Sequence, residues 1–237
     1  MRTPWIRKAL RFASRLRRDQ SGASLIEFAL GLPVILTAGL WGVELTNLAI
    51  THQRVSQLAL ELADNASRVG LFSGQATVQL REVDINDVLA ATRLHGANIN
   101  LGSRGRVILS SLENIGGTQR IHWQRCFGQR AGAGYDSSYG TTTTTAGTDT
   151  TAANAGTLAA SGMGDAGAQV NAPLNAGVMF VEVNYLYQPL IGNGWFTSTQ
   201  RLHYIASFIV RDNRDFTQLY NPSPAVTRST CNLYTAS

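Results

Sequence analysis

Four histidines, two cysteines and a scatter of carboxylates are the side chains of this sequence that could do chemistry. His52, His95, His122 and His203 are too far apart for the short paired spacings of metal ligands. His122 and His203 fall in two segments with strand-like alternation and are expected on neighbouring strands, where a histidine pair is ordinary surface or core. Cys126 and Cys231 form no C-x-x-C pair. Gly162-Met163-Gly164-Asp165-Ala166-Gly167 fits G-x-G-x-x-G, but it follows no strand and opens no helix, so the phosphate-cradling context is missing. Asp136-Ser137-Ser138 begins like a D-x-S-x-S cation motif, and Gly140 stands where its second serine belongs. Asn65-Ala66-Ser67 fits a glycosylation acceptor inside a segment patterned as a packed helix. No set of nucleophile, base and carboxylate can be named. The expectation is a protein without enzymatic activity, cofactor, metal or small-molecule substrate.

One carboxylate stands out by its surroundings. Glu27 interrupts the start of the apolar stretch Gly22–Ile50, GASLIEFALGLPVILTAGLWGVELTNLAI, and no charge occurs from Phe28 to Val43. A bilayer core needs about 20 apolar residues in a helix, so residues 23–50 read as a transmembrane segment. Glu44, 22 residues past Gly22 or about 33 Å along a helix, is expected at the outer bilayer boundary with no special role. Pro33 removes one helix hydrogen bond and is expected to kink the span. Seven of the 20 Lys and Arg residues precede Gly22, leaving 13 basic against 14 acidic residues beyond it. The basicity therefore belongs to a leader, residues 1–22. The remainder has no cation surplus for phosphate, which argues against a nucleic-acid partner. A positive leader stays cytoplasmic and places the chain beyond the span outside. A cleaved secretory signal would show a shorter apolar core, about 7–15 residues, and a small-residue exit. An uncleaved signal-anchor is the plainer alternative.

Beyond the span, Val55, Leu58, Leu62, Ala66 and Val69 recur at helical spacing, with Ala59 and Ala63 filling the stripe. Residues 51–70 read as an amphipathic stalk stopped at Gly70. Asp84–His95 reads as a second helix. The period then changes to that of strands over 106–113, 119–126, 178–187 and 202–210, with Gly116-Gly117 as a hairpin turn. The fold class expected is α+β, a long N-terminal helix packed on a small antiparallel sheet, with residues 71–237 forming the domain. Residues from about 131 to 176, rich in Gly, Ala and Thr, are expected as a mobile or loosely packed insertion in the sheet. It is either an exposed contact loop or simply a tolerated insertion.

The basic leader ending in Gly22, continued by Ala23-Ser24-Leu25-Ile26-Glu27-Phe28, resembles a type IV prepilin. Leu32-Pro33-Val34 and the segments IHWQRC, VEVNYLYQPL and IASFIVRDNR are similar to the TadE-like family of minor pseudopilins from tight-adherence (Flp) pilus systems. The resemblance touches about half of the chain and leaves the insertion unmatched. It implies a pilin-like fold and cleavage between Gly22 and Ala23 by a prepilin peptidase. Its implied partners are other minor pseudopilins, pilus assembly proteins and membrane lipid. Glu27, beside Phe28, would pair with the new α-amino group of a neighbouring subunit and set axial register; otherwise it snorkels to headgroups. The location implied is the bacterial inner membrane, with the N-terminus cytoplasmic and the domain periplasmic. An uncleaved single-pass scaffold with a periplasmic domain is the alternative.

That topology bears on the cysteines. Outside the cytosol, Cys126, at the end of a strand, and Cys231, in a tail after Pro222 and Pro224, can bridge and pin the tail to the sheet. In the cytosol they would be two buried thiols.

Overall fold

In the computed structural model of the chain, residues 12–15, 22–71, 74, 76–192 and 194–236 are described. Most of the expected leader, residues 1–22, lies outside them; 12–15 are helical and Gly22 caps the long helix that begins at Ala23.

That helix, α1 (Ala23–Arg68), is 46 residues long, about 69 Å at 1.5 Å per residue. Pro33 lies inside it without ending it. The expected stripe of Val55, Leu58, Ala59, Leu62, Ala63 and Ala66 is buried, whereas Val69, its expected last member, caps the helix and is half-buried. At Val69 the backbone turns extended, and Gly70 passes so near Val78 that a Cβ would sit 2.4 Å from its methyl carbon. Helix α2 (Glu82–His95) starts two residues before the periodicity placed it, because Asp84 caps the first turn by accepting the Arg81 backbone N–H at 3.0 Å. A short helix, α3 (Leu101–Arg104), leads into the sheet.

Five strands form one antiparallel sheet: β1 (Gly105–Ile115), β2 (Thr118–Phe127), β3 (Thr157–Leu158), β4 (Ala176–Tyr187) and β5 (Gln200–Ile209), in the order β3-β2-β1-β4-β5. Gly116 and Gly117 join β1 to β2 with φ of 59° and 83°, the left-handed pair that a two-residue hairpin demands. The β1–β2 register slips between Ser111 and Leu112, which leaves His122 as the extra residue of a bulge. The bulge changes the phase of β2: Trp123 faces one core and Ile121 the other. Because β4 pairs with β1, His122 on β2 and His203 on β5 are separated by two strands and are not neighbours.

Helices α1 and α2 cover one face, burying Leu62 and Ile85 against Val107, Leu109, Trp123, Val181 and Val183. Helix α1 runs along β5 in the same direction. Glu44 lies by Thr197, His52 by Tyr204, and the backbone of Ala66 and Ser67 by Arg214.

The insertion is packed, not loose. It covers the opposite face of the sheet, where Ala159, Met163 and Ala172 close on Leu112, Ile121, Val178 and Phe180. Gln119 stitches it to β2: its amide nitrogen donates to Ala159 O at 2.7 Å, and its oxygen accepts Ala172 N–H at 2.7 Å. Gln124 binds Gly140 O and Thr142 N–H in the same way. Gly156, at φ 77°, passes so near β2 that a Cβ would meet Ile121 O at 2.0 Å. Gly132, Gly134, Gly140, Gly147, Gly156, Gly162, Gly164 and Gly167 all have positive φ, so the glycine content of the insertion answers to tight turns.

Candidate functional site

The first half of α1 is bare. From Ala23 to Val43 its side chains leave the domain, with Leu25 73% and Ile35 71% exposed. An 18-residue window here has mean hydropathy 1.8 and none of it is buried. Twenty-one residues of helix make about 32 Å, the thickness of a hydrocarbon core. By length and composition this helix can cross a membrane. At Pro33, which has no N–H to donate, Thr37 supports the next turn; its hydroxyl reaches Pro33 O at 2.9 Å and Val34 O at 3.0 Å.

Gly22 and Ala23 stand exposed at the start of this half, and Glu27 and Phe28 one turn further on. Among the described residues nothing bonds or ion-pairs with the Glu27 carboxylate, and these four positions lie together in the first turns of the exposed helix half. A lone carboxylate on an apolar surface needs a partner when that surface leaves water.

The second carboxylate of α1 is held quite differently from the expectation of an idle boundary residue. Glu44 is fully buried. One of its oxygens accepts from the Tyr187 hydroxyl and from Thr197 Oγ1 at 3.1 Å; the other accepts the backbone N–H groups of Leu190 and Ile191 at 3.0 and 3.1 Å. Asn47, one turn along, donates to the Tyr187 hydroxyl at 2.9 Å. All four donors to Glu44 come from the end of β4 and the β4–β5 loop. This clasp fixes the domain to the helix where the apolar half ends. Sequence pattern missed it because its donors lie more than 140 residues away; the one signal was a carboxylate on the edge of an apolar run.

Cys126 and Cys231 form a disulfide across a separation of 105 residues. The tail it secures lies along β2, with Cys126 N–H donating to Ser229 O and Gly128 N–H to Thr235 O, both at 2.7 Å. The buried Arg106 guanidinium donates to Gly128 O, Leu233 O and Cys231 O, and stacks 4.3 Å from the Tyr234 ring centre. Its burial lowers the arginine pKa from the ordinary value. Glu82 and Arg125 form a wholly buried two-pronged ion pair under α2, with Arg228 Nε 3.2 Å from the same carboxylate.

Of the polar groups nearest to a reactive arrangement, His122 and Glu113 line a cavity of about 480 Å³ beside the β2 bulge, and Ser111 is buried behind them. His122 Nδ1 lies 2.7 Å from Glu113 Oε2, and the Ser111 hydroxyl donates to Glu113 Oε1 at 2.6 Å. Burial disfavours the imidazolium, but the Glu113 bond outweighs it and raises the His122 pKa. Ser111 is turned to the carboxylate and not to the imidazole, so the three do not form a nucleophilic relay. On the opposite face of the sheet, under the insertion, Tyr139 donates to Asp165 at 2.6 Å and contacts His203 Nε2 at 3.2 Å. Burial and Arg201 depress His203. Ser137 and Ser138, from the D-x-S stretch, donate to buried Glu182, and burial raises its pKa despite those bonds. Among the described residues, no three His, Cys, Asp or Glu side chains converge as a metal site would need.

Comparisons with protein-family models, with curated proteins and with solved structures find no match.

Proposed function

We propose that this chain is a membrane-anchored minor pseudopilin of TadE-like character, processed after Gly22 and contributing to assembly of a tight-adherence (Flp) pilus. The observation that carries the reading is Glu27: an exposed carboxylate without a partner among the described residues, four residues past Ala23, on a helix surface otherwise uncharged as far as Val43. Cleavage before Ala23 creates an α-amino group. In a neighbouring subunit offset along the helix axis, that cation neutralises Glu27 as both leave water. The basic leader supports a cytoplasmic N-terminus and the bridged cysteines an oxidising, periplasmic domain. The turn of Ser111 away from His122 favours a structural subunit over an enzyme. The partners are then a prepilin peptidase, other pseudopilins and pilus assembly proteins, and lipid.

N-terminal sequencing of the mature protein tests processing. A start at Ala23 is expected; an intact Met1 overturns it and leaves an uncleaved inner-membrane scaffold. Glu27→Ala tests register. The variant is expected to be cleaved yet to fail in co-assembly, and normal incorporation would remove the role given to Glu27.

A further inference from the structure

The two edges of the sheet are finished in opposite ways. On one side β2 is closed three times over: by β3, by the tail bonded at Cys126 and Gly128, and by the disulfide that holds this tail. On the other side β5 is the last strand of the sheet. The Val210 N–H donates to Gly177 O, so even-numbered residues of β5 face β4. The N–H and C=O groups of Arg201, His203, Ile205, Ser207 and Ile209 therefore point outward, and among the described residues no backbone group bonds to them. Protein edges are normally blunted by Lys, Pro, bulges or brevity. Strand β5 is ten residues long, has no Lys, Pro or carboxylate, and keeps unbroken register with β4. Its flank toward α1 is apolar, with half-buried Tyr204 and Phe208, and on the other face half-buried Ile205 and 50% exposed Ile209 alternate with Arg201, His203 and Ser207.

The direction of α1 decides what can pair there. Because α1 runs parallel to β5, an antiparallel β5–β5 pair of two copies would send their apolar helix halves in opposite directions, and no single membrane accepts both. A parallel pair about a twofold axis sets like residues level, N–H against N–H, and makes no ladder. Head-to-tail addition of copies needs the β2 edge, which is sealed. We propose that the outer edge of β5 is a docking site for an extended strand, apolar on one face, of a different chain. The exclusion of a second copy rests on the membrane reading of α1.

Photo-crosslinking in native membranes tests this, with p-benzoylphenylalanine replacing Ser207 in the full chain. The expected result is one adduct with a different protein, whose cross-linked peptide maps to an alternating apolar segment. The adduct should fall at least tenfold with Ile205→Pro, which removes one outward N–H and leaves the β4 ladder whole. Retention of the disulfide and an unchanged melting profile show that the proline variant has folded. In the purified protein, amides of Ile205 and Ser207 exchange freely while those of Tyr204 and Ala206 are protected. An adduct between two copies, no adduct, or an adduct indifferent to the proline overturns the proposal. Flotation of the same membranes reports separately on the anchor: a chain that does not float defeats the membrane reading, whatever the adduct.

Discussion

Replacing Glu44 with alanine removes one carboxylate that serves four donors. Two of them, the hydroxyls of Tyr187 and Thr197, can rotate toward other acceptors. The backbone N–H groups of Leu190 and Ile191 cannot. A hydrogen bond to a charged acceptor contributes about 1.5–3 kcal/mol net, so the two backbone bonds alone put the loss near 3 kcal/mol or above. At tenfold per 1.4 kcal/mol this is roughly a hundredfold rise in local opening of the β4–β5 loop. Amide hydrogen exchange at Leu190 and Ile191, in the detergent-solubilised full chain, reads it directly. Glu44→Gln, which keeps one acceptor oxygen and loses the charge, should fall between parent and alanine. Amides in β1 serve as controls, because no residue of that strand bonds to Glu44. If Leu190 and Ile191 exchange within about threefold of the parent in Glu44→Ala, the clasp does not hold the loop and the argument fails.

Three further outcomes concern the domain. Glu82→Gln strands the buried Arg125 charge and should cost about 3–5 kcal/mol in denaturant unfolding, whereas Glu82→Leu with Arg125→Met should recover much of it; equal losses would refute the account. Replacing Cys126 and Cys231 by alanine reopens a 105-residue separation, and the loop-entropy model gives about 4–5 kcal/mol, with the tail from Asn221 becoming sensitive to protease. The Glu113–His122 bond raises the histidine pKa in the folded state, so its contribution is fully present below the unfolded value near 6.5 and fades as pH rises through the folded one. His203 is depressed and works in the opposite sense, losing stability as pH falls, so the informative quantity is parent minus Glu113→Gln. That difference should shrink as pH rises from about 6.5 upward; a flat difference would remove the dyad from the pH response.

The α1 stripe, the four long strands and the Gly116-Gly117 turn were legible because each depends on local period or on a backbone conformation that side chains announce. The features that were not legible depend on distant partners. Nothing near Glu44 in sequence says that Tyr187, Leu190, Ile191 and Thr197 will surround it. The insertion reads as loose because Gly, Ala and Thr give no period, yet small residues are what a segment needs to lie flat on Ile121 and Phe180. The placing of His122 and His203 failed at topology: β4 returns to pair with β1, and no residue of either strand reports that choice. The start of α2 was missed by two residues because Asp84 caps through the Arg81 backbone from inside the helix.

The parallel course of α1 and β5 has a mechanical consequence. From Glu44 to Ser67 the helix lies against the sheet for about 34 Å, with its axis close to the strand direction. A pull on the free end along that axis loads the whole seam in shear, so that Leu48, Val55, Leu58, Leu62 and Ala66 must all slip together. A sideways pull instead unzips the seam turn by turn, and Glu44 is the first bond to meet it. The joint is therefore strongest along the line in which an anchored helix is drawn, and its one carboxylate guards the end from which it would peel.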